Sequence, residues 1–349
     1  GNGEGSDLIL IGSQETENTK PRRAEGRRSR ELRRLMIKML GKGYVPLALH
    51  NLGGVQLGLF CKASIVEEVK YVSIADVACG IGNVFHNKGA ISAFVQMKAR
   101  NDEGDDSSSS SSCSRREKHV NILFVTCHLA AHVKNVDARN ADFRRIASEL
   151  EATILGNEKE IGGDRKKSRN SPRLPSQFLS SHSPSKKKNG DDGDGGNCGE
   201  NLMKSMDHIF FCGDLNYRID MPREVTEQKI LEMRTIIKSS SPLSNDDDML
   251  ASASSSSVIE DDEEKERLLA TLRLDLLRHD QLLQTISEGR VFPNFTEGEI
   301  RFPPTFKFDK GSSSDAYDTS YKQRIPAWTD RILHRPFGVK VLDYNSVPR

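Results

Sequence analysis

The chain has 349 residues with 51 basic and 50 acidic side chains, a net charge of +1, and 36% hydrophobic residues. The balance of charge argues against a uniformly basic nucleic-acid surface, and no apolar run is long enough to cross a bilayer. No signal peptide is visible, and six cysteines without a Cys-x-x-Cys pair indicate reduced thiols rather than a zinc site. We therefore expect a cytoplasmic protein.

Three segments are rich in serine and charged residues, at about 101–118, 157–204 and 239–265. Such composition cannot offset the entropy lost on ordering, so we predict that the three segments are disordered. Each lies between periodic segments, which favours surface insertions over linkers. The sequence thus predicts one domain over 1–349.

The remaining segments show strand or helix periodicity. In chain order, strands are predicted at 8–11, 44–50, 54–62, 66–74, 89–97, 119–128 and 208–212, and the tail 328–344 is interpreted as two further strands. Helices are predicted at 27–40, 135–155, 222–237 and 266–288. Many adjacent strands with few intervening helices favour an α+β sandwich.

Polar clusters follow several of the apolar strands. Glu15 comes directly after the first strand, and Mg²⁺ needs only one or two such carboxylates because phosphate and water complete its shell. His128 and His132 follow a later strand, where an imidazole could contact a phosphate oxygen or share a proton with a carboxylate. For each of these histidines, a structural role and a catalytic role remain open, as does a solvated loop position for Glu15.

The most specific cluster follows the strand that ends at 212. Asp214 at the edge of this apolar strand could take a proton from water, and Asn216 could hold a phosphoryl oxygen or orient that water. A later cluster contains the only tryptophan, Trp328, which we interpret as a core anchor. Asp330 beside it is interpreted as an ion-pair or turn residue.

These clusters together resemble the inositol polyphosphate 5-phosphatases. The strings are Gln-Glu at 14–15, Asn-Lys-Gly at 87–89, Cys-His-Leu-Ala-Ala-His at 127–132, Gly-Asp-Leu-Asn-Tyr-Arg at 213–218 and Pro-Ala-Trp-Thr-Asp-Arg-Ile-Leu at 326–333. The resemblance covers nearly all of the chain outside the three insertions. It implies the four-layer α/β/β/α sandwich of DNase I-like enzymes and Mg²⁺-dependent, in-line attack of water on a phosphate.

The resemblance also implies individual roles. Glu15 would hold Mg²⁺, Asp214 would activate water, and Asn216 would position water or phosphate. His128 would bind the scissile 5-phosphate, with His132 beside it. The positions that would bind the other phosphates of inositol polyphosphates and phosphoinositide headgroups are Asn87, Lys88, Lys307, Lys322 and Arg324.

The chain departs from the family pattern at several points. Phe306 stands where the family has a tyrosine, so a hydroxyl contact to the 4-phosphate is lost. The family's Trp-Asn and Ser-Asp-His strings are absent, so we expect a trimmed catalytic domain that is inactive as cut, although its parent is active. We expect a monomeric domain that does not bind nucleic acid.

Alternative functions remain. One is a phosphodiesterase of the same fold, such as a nuclease or a sphingomyelinase, although a nuclease would favour a basic track along the backbone. Another is a non-catalytic inositide-binding module. The Arg-rich segment 22–38 is either a solvated face or a site of peripheral contact with anionic membranes.

Overall fold

The structure is a computed structural model that describes residues 5–17, 26–80, 88–99, 118–156, 199–239, 255–309, 316–336 and 338–347, with the backbone alone for 255–261. Its strands are β1 (Leu8–Ser13), β2 (Tyr44–Leu52), β3 (Val55–Lys62), β4 (Val69–Ala78), β5 (Gly89–Lys98), β6 (His119–His128), β7 (His208–Asp214), β8 (Thr296–Glu297) and β9 (Asp330–Arg335). Its helices are α1 (Arg27–Leu40), α2 (Val136–Ile154), α3 (Glu200–Ser205), α4 (Arg223–Ser239), α5 (Ser255–Arg278) and α6 (Gln281–Ser287).

The strands form two sheets. The smaller sheet is antiparallel in the order β1-β3-β2, and the larger has the order β4-β5-β6-β7-β9-β8. Strands β6 and β7 pair in parallel, so that both run to the same edge of the larger sheet. Strand β9 pairs with β7 in the opposite direction and begins at that edge.

Apolar side chains fill the space between the sheets and cover their outer faces. Leu57 and Leu59 of β3 meet Ile91 and Val95 of β5 between the two sheets. The other face of the larger sheet packs against α2, α3 and α6 through a second apolar cluster. Helix α1 covers the outer face of the smaller sheet, where its buried Met36 lies against Gly58. The four-layer α+β sandwich is therefore confirmed.

Most predicted elements are present, and three differ. The helix predicted at 266–288 is broken at Asp280, whose carboxylate accepts a hydrogen bond from the Leu283 N–H and caps α6. Most of helix α3 and the start of α5 lie inside segments predicted to be disordered. Residues 101–117, 157–198 and 240–254 of the three segments lie outside the described residues. The tail forms one strand, β9, and 338–347 has no strand.

Three findings bear directly on expectations from composition. Trp328 is fully buried and donates its indole N–H to the Phe302 carbonyl at 3.1 Å, as expected of a core anchor. The cysteines that the structure describes are thiols, not disulfides. No helix in the described part of the chain is both long enough and apolar enough to span a membrane.

Candidate active site

A cavity of about 830 Å³ opens where β6 and β7 end. His128, the last residue of β6, lies opposite Asp214, the last residue of β7. Asp330, the first residue of β9, lies opposite Asp214 on the other side. The pairing register thus places three titratable side chains at one edge of the sheet, although they are distant in sequence.

The cavity collects every predicted site residue that the structure describes. Those residues are Glu15, Lys88, His128, His132, Asp214, Asn216, Lys307, Lys322 and Arg324. Asn87 lies outside the described residues. Loops from both sheets and the segment before β9 supply these side chains. The fold therefore brings together residues that are spread over some 300 positions of the sequence.

His128 and Asp214 form the centre of the site. The Nε2 atom of buried His128 lies 3.2 Å from Oδ2 of Asp214, and the ammonium of Lys88 contacts the same nitrogen. A ring nitrogen can donate to the carboxylate or accept from the ammonium, but it cannot do both at once. His128 can therefore exchange partners when a ligand draws Lys88 or Asp214 away.

Lys88 lies among the carboxylates of the site. Burial lowers the pKa of its ammonium, and the negative charges of Asp214 and Glu15 oppose that shift. The cation therefore faces the two carboxylates on which the resemblance places the water-activating and metal-binding roles. An incoming metal ion would compete with Lys88 for these carboxylates, whereas an incoming phosphate would compete with the carboxylates for Lys88.

The backbone of Asn216 adopts the left-handed conformation, with φ of 58°, which asparagine tolerates better than most residues. Its N–H donates to Oδ1 of Asp214 at 3.1 Å, and its side-chain amide donates to the Leu129 carbonyl at 3.0 Å. Arg218 donates to the Asn216 side-chain oxygen. The second N–H of the amide is the group with which Asn216 could bind a ligand oxygen.

A buried arginine holds the loop that carries His132 through hydrogen bonds to the loop carbonyls. Arg139 of α2 donates to the carbonyls of His132 at 2.7 Å and Ala130 at 3.3 Å, and to Oε1 of Gln281 at 2.6 Å. Its burial lowers the pKa of the guanidinium to about 10. This role could not be predicted from the sequence, because Arg139 has the pattern of an ordinary charged residue on an amphipathic helix.

Asp330 has a place that differs from its predicted role. Among the described residues Asp330 forms no salt bridge; it lines the cavity beside Asp214 and accepts a hydrogen bond from the Thr329 hydroxyl at 3.0 Å. The surrounding protein desolvates its carboxyl, and with the nearby charge of Asp214 this raises the pKa of Asp330 to about 6. The indication of this role in the sequence was that Asp330 lies in the specific string at 326–333, directly before Arg331.

The far wall of the cavity is basic. Arg324 pairs with Asp318 at 2.8 Å, and although burial acts to raise the pKa of Asp318, hydrogen bonds from Ser320 and Arg324 hold it well below its usual range. Lys307 and Lys322 stand beside this pair. The wall therefore combines a fixed guanidinium with two lysines, a set suited to anionic oxygens.

The donor set fits a hard divalent cation. Glu15 has φ of 56°, and its loop is tied to the β2–β3 turn by the Thr16 N–H donating to the Gly54 carbonyl at 3.1 Å. Within the described ranges, no three His, Cys, Asp or Glu side chains form a ready-made metal cluster. Mg²⁺ commonly binds through one or two carboxylates with phosphate and water as further ligands, so the carboxylates of this cavity suffice.

Sequence comparison places this architecture among phosphatases and nucleases. The chain matches Endonuclease/Exonuclease/phosphatase family 2 over residues 2–268 and 261–349. It is 28% identical over 98% of its length to inositol-1,4,5-trisphosphate 5-phosphatase 1 of Schizosaccharomyces pombe, and 28% identical over 84% of its length to human synaptojanin-1. It spans only 23% and 12% of these two relatives, respectively.

A solved structure agrees with this result. The inositol polyphosphate 5-phosphatase domain of SPsynaptojanin, in complex with inositol (1,4)-bisphosphate and a calcium ion, superimposes with a TM-score of 0.58. The two are 26% identical, and the match covers 97% of this chain and 69% of that domain.

Proposed function

Because the chain belongs to Endonuclease/Exonuclease/phosphatase family 2, we propose that it removes the 5-phosphate from inositol polyphosphates and phosphoinositides. The proposed substrates are inositol 1,4,5-trisphosphate and phosphatidylinositol 4,5-bisphosphate, with Mg²⁺ as the cofactor. The observation that carries the proposal is the His128–Asp214 pair at 3.2 Å in a cavity with a basic wall. The relatives named as 5-phosphatases support it.

The chemistry is direct hydrolysis. Asp214 takes a proton from a water molecule, whose oxygen attacks phosphorus in line with the bond to the inositol oxygen. That bond breaks, and the inositol oxygen leaves and gains a proton to become a hydroxyl. Mg²⁺, held by Glu15, would supply charge stabilisation for the phosphoryl oxygens.

The other residues hold the substrate. His128 turns its Nε2 from Asp214 to an oxygen of the scissile phosphate, with His132 beside it, and Asn216 uses its free amide N–H to orient water or phosphate. Asn87 and Lys88 bind the 1-phosphate. Lys307, Lys322 and Arg324 bind the 4-phosphate, because charge-assisted bonds from several cations match a ring with several phosphates.

We further infer a cytoplasmic, monomeric domain that reaches its lipid substrates by peripheral contact with the membrane. The near-neutral net charge of +1 favours phosphomonoesters over a long nucleic-acid backbone.

The test is phosphate release from both substrates, with Mg²⁺ and with a chelator, on the protein at its full natural length. Asp214→Asn should lower kcat by about 10²- to 10⁴-fold, the usual contribution of a general base. Asp207→Asn is the matched control, because Asp207 precedes the same strand at its opposite end and accepts a hydrogen bond from the Asn121 N–H at 2.7 Å.

Three other results would contradict the proposed function or its mechanism. Full activity in Asp214→Asn would refute the assigned mechanism. Binding of both compounds without any release would identify an inositide-binding module. Cleavage of nucleic acid or sphingomyelin in place of the inositides would identify a phosphodiesterase of the same fold.

A further inference from the structure

Helix α1 presents a basic stripe to solvent. Its sequence contains six Arg or Lys residues and a single acid, Glu31. Helical spacing aligns Arg27, Arg34 and Lys38 on the side opposite the buried Met36. Glu31 lies within the stripe and pairs with Arg27 at 2.9 Å. No salt bridge between described residues involves Arg34 or Lys38, which continue the positive surface toward the C-terminal end.

Apolar side chains lie exposed beside this stripe. Met39 is 84% exposed and Leu35 is 53% exposed, and because they are four residues apart they are neighbours on the helix surface. Ile37 on the other flank is 44% exposed. Scattered exposed apolar residues are ordinary, but a pair of them along a basic stripe is the pattern of helices that lie in a membrane interface.

The start of α1 is tied to the chain segment that leads away from the cavity. The Ser29 N–H of α1 donates to Oε1 of Glu17 at 2.9 Å, and Glu17 is two residues beyond Glu15. Gln56 of the smaller sheet donates to the Ser29 carbonyl at 2.8 Å, which fixes the helix start to the same turn. These bonds therefore tie the start of the helix to the segment that carries Glu15 into the cavity.

The lip of the cavity has interfacial character as well. Tyr321 is 90% exposed on the wall that also carries Lys322. A tyrosine with its ring in water and a cation beside it suits the boundary between lipid headgroups and acyl chains.

We propose that the exposed face of α1 docks the protein on a bilayer of anionic lipids. Arg34 and Lys38 of the stripe supply attraction to the headgroups, together with Arg28, which lies two turns before Leu35 on the flank that carries Leu35 and Met39. Leu35 and Met39 enter the interface. The inference rests on the proposed function only in that such a bilayer would also carry the lipid substrate. An acidic protein partner would use the charges but would leave the apolar pair without a role.

Co-sedimentation tests the charges. Vesicles of phosphatidylcholine with and without phosphatidylserine, free of phosphoinositides, measure docking apart from substrate binding. We expect binding only with phosphatidylserine, weakened by roughly 100-fold in the triple variant Arg28→Gln, Arg34→Gln, Lys38→Gln, because each lost cation near the surface costs on the order of 1 kcal/mol. Glutamine keeps helix propensity, so α1 should remain folded.

The matched control removes the same charge elsewhere. Lys118, Arg278 and Lys340 are exposed on other segments, and their joint change to Gln should leave vesicle binding within about threefold of wild type, because it alters only the long-range field. Equal loss in the control and in the α1 variant would overturn the proposal in favour of non-specific attraction.

The apolar pair gives a second, independent readout. Leu35→Ser with Met39→Ser should weaken binding at least about tenfold, because two interfacial side chains return to water. Leu231→Ser with Leu274→Ser, exposed leucines of α4 and α5, should not weaken it. Loss with the charge variant but not with the apolar variant would show a purely electrostatic contact and reject the proposed entry of Leu35 and Met39 into the interface.

Activity separates this inference from the proposed function. Both α1 variants should hydrolyse soluble inositol 1,4,5-trisphosphate at the wild-type rate and lose activity on vesicles that contain phosphatidylinositol 4,5-bisphosphate. Wild-type protein that binds phosphatidylserine vesicles but hydrolyses neither compound would refute the proposed function and leave the docking surface standing. Protein that hydrolyses the soluble compound but does not bind the vesicles would support the proposed function and refute the docking surface.

Discussion

The guanidinium of Arg218 lies over the ring of Phe306, with its central carbon 3.9 Å from the ring centroid. The same guanidinium donates to the side-chain oxygen of Asn216. Phe306 belongs to the basic wall, and Asn216 belongs to the proposed catalytic centre. The stacked pair therefore joins the two halves of the cavity. The Phe306 ring positions Arg218, in addition to occupying the place where the family has a tyrosine.

This contact predicts the effect of restoring the tyrosine. Phe306→Tyr keeps the stack and adds a hydroxyl, and hydrogen bonds to charged groups contribute about 1.5–3 kcal/mol. We expect kcat/KM for inositol 1,4,5-trisphosphate to rise by about tenfold, with little change for inositol 1,5-bisphosphate. Phe306→Leu loses the cation–π contact and should lower kcat/KM for both substrates. An equal rise for both after Phe306→Tyr would show that residue 306 does not face the 4-phosphate.

The sequence predicted most of the strands around this site, because each is an apolar run bounded by polar residues. The chemistry was visible for the same reason: Glu15, His128 and Asp214 follow directly at strand ends. The prediction of a second strand in the tail was wrong. Val341 and Leu342 suggest a strand, yet Leu342 is 85% exposed and the segment has no partner strand in the described part of the chain.

Contacts between distant residues were beyond prediction. Arg139 meets Gln281, and Arg331 meets Asp280, across 142 and 51 residues of sequence. Neither pairing can be inferred from hydrophobic periodicity, because a buried arginine with a distant polar partner has the same pattern as a charged surface residue. The register of β7 with β9, which brings Asp330 beside Asp214, is likewise a property of the folded sheet.

The start of α1 predicts a sensitive glycine. A methyl group on Gly26 would lie 2.1 Å from the carboxyl carbon of Glu17, so Gly26→Ala must displace Glu17 from the Ser29 N–H. We expect a loss of about 1 kcal/mol in the free energy of unfolding, typical of a lost helix cap. We also expect a higher Mg²⁺ requirement, because the segment that carries Glu15 loosens.

Gly43→Ala is the control for that substitution, since a methyl group there meets nothing within 4 Å. Urea unfolding and a Mg²⁺ titration of activity measure the two effects. Identical behaviour of Gly26→Ala and Gly43→Ala would show that Glu17 is not anchored by α1.

A buried ion cluster should be essential to stability. Arg331 is enclosed and lies 3.0 Å from Asp280 and 2.5 Å from Glu297. Burial raises the pKa of Asp280, an effect that the Arg331 charge opposes. Arg331→Met leaves two acids without their cation, which costs about 3–5 kcal/mol in comparable cases. Arg301→Met breaks an exposed pair with Glu299 and should change urea unfolding little; similar losses in both would contradict the cluster's role.

The pH dependence of stability should reveal Asp142. Burial raises the pKa of its carboxyl to about 6, against a hydrogen bond from the Ala130 N–H and the charge of Lys88. The folded protein therefore keeps this proton to higher pH than the unfolded chain, whose carboxyl releases it near pH 4. The contribution of Asp142 to stability must fall as the pH rises from about 4 to about 6 and stay constant above that window.

Asp142→Asn removes the titration but keeps an oxygen that can accept from Ala130. The free energy of unfolding of Asp142→Asn, relative to wild type, should therefore increase across that window and level off above it. Urea unfolding at a series of pH values measures the difference, with Asp137→Asn, an exposed carboxylate on the same helix, as the control for losing one carboxylate. A difference between Asp142→Asn and wild type that stays flat with pH, or that decreases, would mean that the Asp142 carboxyl is hydrated and does not hold its proton in the fold.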